Sequence, residues 1–236
     1  MLVHYTNSID KLVNILTNGF VWTANRRALT DLLMPSHDFT TREPQQFGMI
    51  SFSDLTREEA RVQSSTFGAY GICVSAQWAE NRLAQPVLYI DAKGPVATAL
   101  RTIFELGYRE CKARIRFPDD AGWTMAYENK TVASAVIGAT LWANLLQLYE
   151  YMEPSTSSRE REWRIVNPQP DYGLAGKRLN ELIKDASPPQ GWAQYINVVK
   201  VSPQDVEFIV CPSNEEDAVR TAVPPAYASV ALLLSN

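Results

Sequence analysis

The chain has 236 residues, of which 46% are hydrophobic and 20% charged. That is enough to bury one core, and it excludes intrinsic disorder, collagen-like repetition and a disulfide scaffold. With 22 basic against 26 acidic residues the net charge is −4, so no global field drives the chain onto nucleic acid, and any such contact has to be local.

The first segment, LVHYT (residues 2–6), reads as a short strand. Nothing in MLVHYTNSIDK resembles a basic stretch followed by an apolar one, so no signal peptide is expected and the predicted location is cytoplasmic. A helix follows, with Ser8 as its N-cap, Ile9, Leu12, Val13 and Leu16 at helical spacing and Gly19 as its stop. Residues 20–23 are extended, whereas 25–39, broken by Pro35, read as irregular. In residues 48–53 (GMISFS), Ser51 and Ser53 alternate with Ile50 and Phe52, which predicts a strand with one small polar face and a candidate cleft wall. Thr56 and Glu59 form a capping box that opens a helix to about Val62. Residues 70–74 are a further strand, ending at Ser75, the N-cap of a helix carrying Trp78 and Leu83. Residues 86–91 are extended and 95–106 helical by period; the run RECKARIR at 109–116 then concentrates Arg109, Lys112, Arg114 and Arg116.

Residues 131–149 hold no charge over a length that approaches a bilayer span. Ser134, Thr140, Asn144 and Gln147, without a basic flank, favour a buried helix of a soluble fold over a membrane span; a partner-binding helix is the third alternative. Residues 163–166 form a strand introduced by the charged string SRERE. Residues 195–201 and 206–211 read as adjacent strands, and Asn214 caps a last helix through Ala222. Scattered Gly and Pro provide no linker, so one domain over residues 1–236 is expected, and the irregular order of strands and helices predicts α+β architecture.

Cys73, Cys111 and Cys211 are far apart and only His4 and His37 are present, so neither a disulfide framework nor a metal site is expected. The glycine signatures of dinucleotide-binding, P-loop and α/β-hydrolase proteins are missing. What remains unusual is Glu160-Arg161-Glu162-Trp163-Arg164. Strand alternation predicts that Glu160, Glu162 and Arg164 share a face, with the two carboxylates roughly 7 Å apart. The same string also describes a solvated edge strand. By the same alternation His4 and Thr6 share one face of the first strand and Tyr5 takes the other.

H-x-T on the first strand, S-x-S on a middle strand and E-x-E on a late one resemble, in that order, the layout of ADP-ribosyltransferase-fold enzymes. Over more of the chain, HYTNSIDKLVNILTNGFVW, ISFSDL, FGAYGICVSAQWAENRLAQPVLYI and EREWRIV resemble the AbiGi-type abortive-infection, or phage-resistance, family, which carries an antitoxin label. The resemblance implies an ADP-ribosyltransferase-like α+β fold of split mixed or antiparallel sheets with flanking helices. It implies NAD as co-substrate, with Glu162 stabilising the oxocarbenium-like charge of the breaking glycosidic bond and Glu160 deprotonating the acceptor. His4, Tyr5, Thr6, Ser51, Ser53 and Tyr70 would line the NAD site, and Arg26 or Arg27 would hold its pyrophosphate. A similar outline in uncharacterised bacterial domains, H-Y-T, N-D, Y-G and E-x-E-W-R, carries Asn-Asp where this chain has Thr30-Asp31, which leaves the role of that loop open.

Two functions follow as expectations. One is an NAD-dependent ADP-ribosyltransferase toxin of phage defence. It would modify RNA or single-stranded DNA guided by Arg109, Lys112, Arg114 and Arg116, or a protein, or hydrolyse NAD outright, and would be restrained by a cognate antitoxin with or without a chaperone. The other is a catalytically silent antitoxin or phage-sensing binding module of the same fold.

Overall fold

The computed structural model describes residues 1–27, 45–116, 126–127, 144–145, 148–155, 160–166 and 199–235. Strand β1 (Leu2–Thr6) and helix α1 (Ile9–Asn18) fall where the pattern puts them, with Ser8 Oγ accepting from Lys11 N and the Gly19 N–H donating to the Ile15 carbonyl. Next come β2 (Thr23–Arg27), the ten-residue β3 (Gln45–Asp54), α2 (Arg57–Phe67) and β4 (Tyr70–Val74). The capping box of α2 is complete, with Glu59 N donating to Thr56 Oγ1 and Thr56 N to Glu59 Oε2. Helix α2 runs on past Val62 to Phe67 because Gly68, at φ 141°, provides its stop.

The chain continues through α3 (Ala76–Asn81), the short strands β5 (Gln85–Pro86) and β6 (Leu88–Ile90), and α4 (Pro95–Arg114). Helix α4 extends beyond Leu106, so Arg109, Lys112 and Arg114 ride on its last turns and Arg116 on β7 (Ile115–Arg116); their side chains lie outside the described residues. Strand β7 pairs with β8 (Ala126–Tyr127), β6 with β9 (Met152–Pro154). Strand β10 (Glu162–Val166) is followed by β11 (Val206–Pro212), α5 (Glu216–Ala222) and β12 (Ala231–Ser235). The N-cap of α5 is Glu215, not Asn214, and no side chain caps it. Of the expected strand at 195–201, residues 195–198 lie outside the described residues, and Val199 bridges Phe20. Of residues 131–149, only 144, 145, 148 and 149 are described; Leu145 and Tyr149 are buried, and Tyr149 meets Phe104 of α4 edge-on. Among the described residues no helix is long and apolar enough to cross a membrane.

The architecture is α+β: a mostly antiparallel eight-stranded sheet in the order β12-β11-β4-β1-β3-β10-β5, with β2 on β3 and only β11–β12 parallel. Leu2, His4 and Thr6 of β1 point to one face, and Val3 and Tyr5 to the other. On the first face Leu12, Ile15 and Leu16 of α1, Trp78 of α3 and Val219 of α5 close over Ile50, Phe52, Ile72 and Ile209. On the second face Ala60 of α2 covers Val3, Cys73, Phe208, Val210 and Leu233. A register shift between Val206 and Phe208 turns Val206 onto the first face with Ile209. Gly71 lets Tyr5 lie flat on its neighbour, since a Cβ there would stand 3.0 Å from Val3 Cγ1 and 3.1 Å from Tyr5 Cε1.

Candidate functional site

The three strands that carry H-x-T, S-x-S and E-x-E are neighbours in the sheet: β1, β3 and β10. Their register decides which side chains meet. Val3 pairs with Ser53 and Ser53 with Glu162; Arg164 pairs with Ser51 and Trp163 with Phe52. Directly paired residues point the same way, so Ser51, Ser53, Glu162 and Arg164 share the second face with Val3 and Tyr5. His4 and Thr6 belong to the first face, with Phe52 and Ile72. The sheet itself therefore separates the histidine from the glutamate.

On the first face His4 is a packed core residue. Its Nδ1 lies 2.9 Å from the Ser51 carbonyl, and because a carbonyl only accepts, that nitrogen carries the proton. The ring stands edge-on to Phe20 and Phe52, with centroids 5.1 and 5.8 Å away. Burial lowers the His4 pKa, the Ser51 bond opposing it. Thr6 is buried, and Tyr70 of this same face donates its hydroxyl to Glu215, which together with burial raises the Tyr70 pKa. Tyr5, on the opposite face, donates to the Ala60 carbonyl at 2.9 Å and packs against Phe67. Arg26 and Arg27 end β2 opposite Gln46 and Gln45; their side chains lie outside the described residues.

On the second face Glu162 and Arg164, where the charged string enters β10, are withdrawn from solvent and do not form a solvated edge. Arg164 is 1% exposed, among the largest fully buried side chains of the described residues. Its Nε donates to Glu162 Oε1 and its Nη2 to Glu162 Oε2, both at 2.8 Å, a bidentate pair. Nη2 also donates to Glu153 on β9, and Nη1 to the backbone carbonyl of Glu150. Burial by itself would lower the Arg164 pKa, but the bonds from Glu162 and Glu153 outweigh it and hold the guanidinium charged. Glu162 is anchored again through its backbone N–H, which donates to the Tyr89 hydroxyl at 2.7 Å. Glu150 is 3% exposed and its Oε2 has no hydrogen-bond partner among the described residues. Burial pushes its carboxyl up to about 8, against a smaller opposing pull from Arg164.

Glu160 departs from the expected geometry. The strand begins at Glu162, and Arg161, at φ 45°, turns the chain immediately before it, so alternation does not carry Glu160 onto the face of Glu162. Arg161 is held by an ion pair with Glu59 at 2.6 Å and by its carbonyl accepting from Asp54 N. Glu150, Glu153 and Tyr89, the residues that make the cluster, were not singled out from the sequence. The signal for them was faint: Glu150 and Glu153 end the uncharged 131–149 stretch as a pair of carboxylates before a charged strand. Among the described residues, no group of three or more His, Cys, Asp or Glu has the geometry to hold a metal ion.

Fold and cluster together define an α+β protein whose E-x-E-W-R segment builds a buried arginine–glutamate network on one face of its sheet. Residues 39–212 match the family described as "Putative abortive phage resistance protein AbiGi, antitoxin", and the chain belongs to that family. No curated protein and no solved structure matches the chain.

Proposed function

We propose that the protein acts in abortive phage resistance as an antitoxin, a catalytically silent binding protein that restrains a partner toxin. The observation that carries this reading is the state of Glu162. Both of its carboxylate oxygens are committed to Arg164, and the side chain is only 13% exposed. To meet positive charge developing in a substrate, Glu162 would have to give up both of its charge-assisted bonds to the buried guanidinium and leave it to Glu153. The family description supports the same reading.

The competing reading is an NAD-dependent ADP-ribosyltransferase. In its favour, Ser51, Ser53, Glu162 and Arg164 share one face of adjoining strands. Against it, His4 and Thr6 lie on the opposite face, so these residues do not fit one NAD molecule touching both motifs. Coexpression with the cognate toxin separates the two. An antitoxin restores growth, and does so equally as wild type and as Glu162→Gln, with cellular NAD unchanged by the chain alone. Growth arrest by the chain alone, with NAD consumed and nicotinamide released, would overturn the proposal.

A further inference from the structure

The two ends of the main sheet are built differently. Edge strand β5 is two residues long and contains Pro86, the kind of short, proline-bearing edge that resists further pairing. Edge strand β12 is five residues long, reads Ala-Leu-Leu-Leu-Ser and carries no charge or proline. Its pairing with β11 runs from Ala231 to Ser235 without a bulge. Among the described residues, neither a charge, a proline nor a bulge blunts it.

Burial identifies which main-chain groups look outward. Leu233 is 1% and Ser235 3% exposed, so neither turns its N–H and C=O to solvent. Backbone groups alternate along a strand, which leaves those of Leu232 and Leu234, both partly exposed, pointing away from β11. Among the described residues none pairs with that side. Two outward residues placed symmetrically about Leu233 are self-complementary. If a second β12 approaches antiparallel with a two-fold axis at Leu233, Leu232 of each copy faces Leu234 of the other. All four outward N–H and C=O pairs of the two strands then bond across the junction. With no charge in the strand, no like charges face each other across the axis.

We propose that this edge is the site at which a second copy of the chain docks, joining two eight-stranded sheets into one continuous sheet through β12 and its symmetry mate. Helix α2 lies against β12, so the helices of the two copies flank the junction and add side-chain area to the main-chain bonds.

Sedimentation equilibrium of the full chain, together with hydrogen exchange at low and high protein concentration, tests this. The expected results are a mass twice the 26.5 kDa of the chain and amide protection at Leu232 and Leu234 that rises with concentration. Leu234→Pro removes an outward donor without removing a bond to β11, and Ala231→Lys places a charge at an exposed position of the same edge. Each is expected to give a folded monomer by circular dichroism. A wild-type monomer throughout the micromolar range overturns the proposal, as does a dimer whose Leu232 and Leu234 amides exchange equally fast at both concentrations. The wild-type exchange measurement decides even if both variants fail to fold.

Discussion

The same three strands, β1, β3 and β10, present two opposite environments. On one face His4, Phe20, Phe52 and Trp78 make an aromatic cluster whose ring centroids lie 5.1 to 5.9 Å apart where they meet. On the other, Arg164 is buried among Glu162, Glu153 and the backbone carbonyl of Glu150. The first face is held by burial of apolar area, which is forgiving of small displacement. The second depends on every charge finding its partner, because an unpaired charge in the interior costs several kcal/mol. The difference teaches that two motifs on neighbouring strands need not form one site, since a shift of one residue in strand phase sends them to opposite faces.

The largest expected effect comes from removing the centre of the polar face. Arg164→Met should destabilise the protein by about 3–5 kcal/mol in urea unfolding, because Glu153 and Glu162 lose their cation. Adding Glu153→Gln and Glu162→Gln to that variant should recover much of the loss, whereas the aromatic face offers no such rescue. Phe52→Ala should cost about 3–5 kcal/mol by cavity formation. A loss under about 1 kcal/mol for Arg164→Met would mean the guanidinium reaches water and the contrast between the faces is false.

How much of this was legible in the sequence follows the range of the interactions involved. Ser8, the Thr56–Glu59 box and Ser75 cap their helices because capping is settled within four residues, and all three bonds are present. Strands at His4, Ser51 and Trp163 were legible from alternation. Their shared or opposed faces were not, because phase is set by pairing between residues far apart in the chain, 47 positions for His4 with the Ser51 carbonyl and 109 for Ser53 with Glu162. The string SREREWR reads identically as a solvated edge and as a buried network; its cover, β6 with β9, is supplied from elsewhere. Strand β12 escaped notice because Leu232-Leu233-Leu234 is a continuous apolar run without alternation, although it proves to be a two-sided edge.

The two faces should also respond oppositely to pH. The raised Glu150 pKa means the folded state holds its proton between about 4.5 and about 8 while the unfolded chain does not. Its contribution is therefore complete below the lower value and lost as pH rises through the upper one. Glu150→Gln should flatten the alkaline side of a plot of stability against pH, gaining on wild type at pH 8–9. The His4 pKa is lowered from 6.5, so its contribution is present above 6.5 and lost as pH falls through the folded value. His4→Gln should flatten the acid side while lowering stability overall, and thermal melts across pH 5–9 check both. Equal slopes for wild type and Glu150→Gln above pH 7 would place that carboxyl in water.

The smallest effect belongs to the surface. Arg161 and Glu59 form an exposed pair, so Glu59→Gln should shift the melting temperature only slightly through the ion pair, and that part should vanish in 1 M salt. A salt-independent loss would be assigned instead to the capping box in which Glu59 also takes part.

Growth of bacteria expressing the chain alone, wild type against Glu162→Gln, most directly tests the claim that the E-x-E-W-R cluster serves a binding protein and not a catalyst. The account predicts that both strains grow like the empty-vector control. Arrest by the wild type, relieved by Glu162→Gln in a protein that still folds, would contradict it.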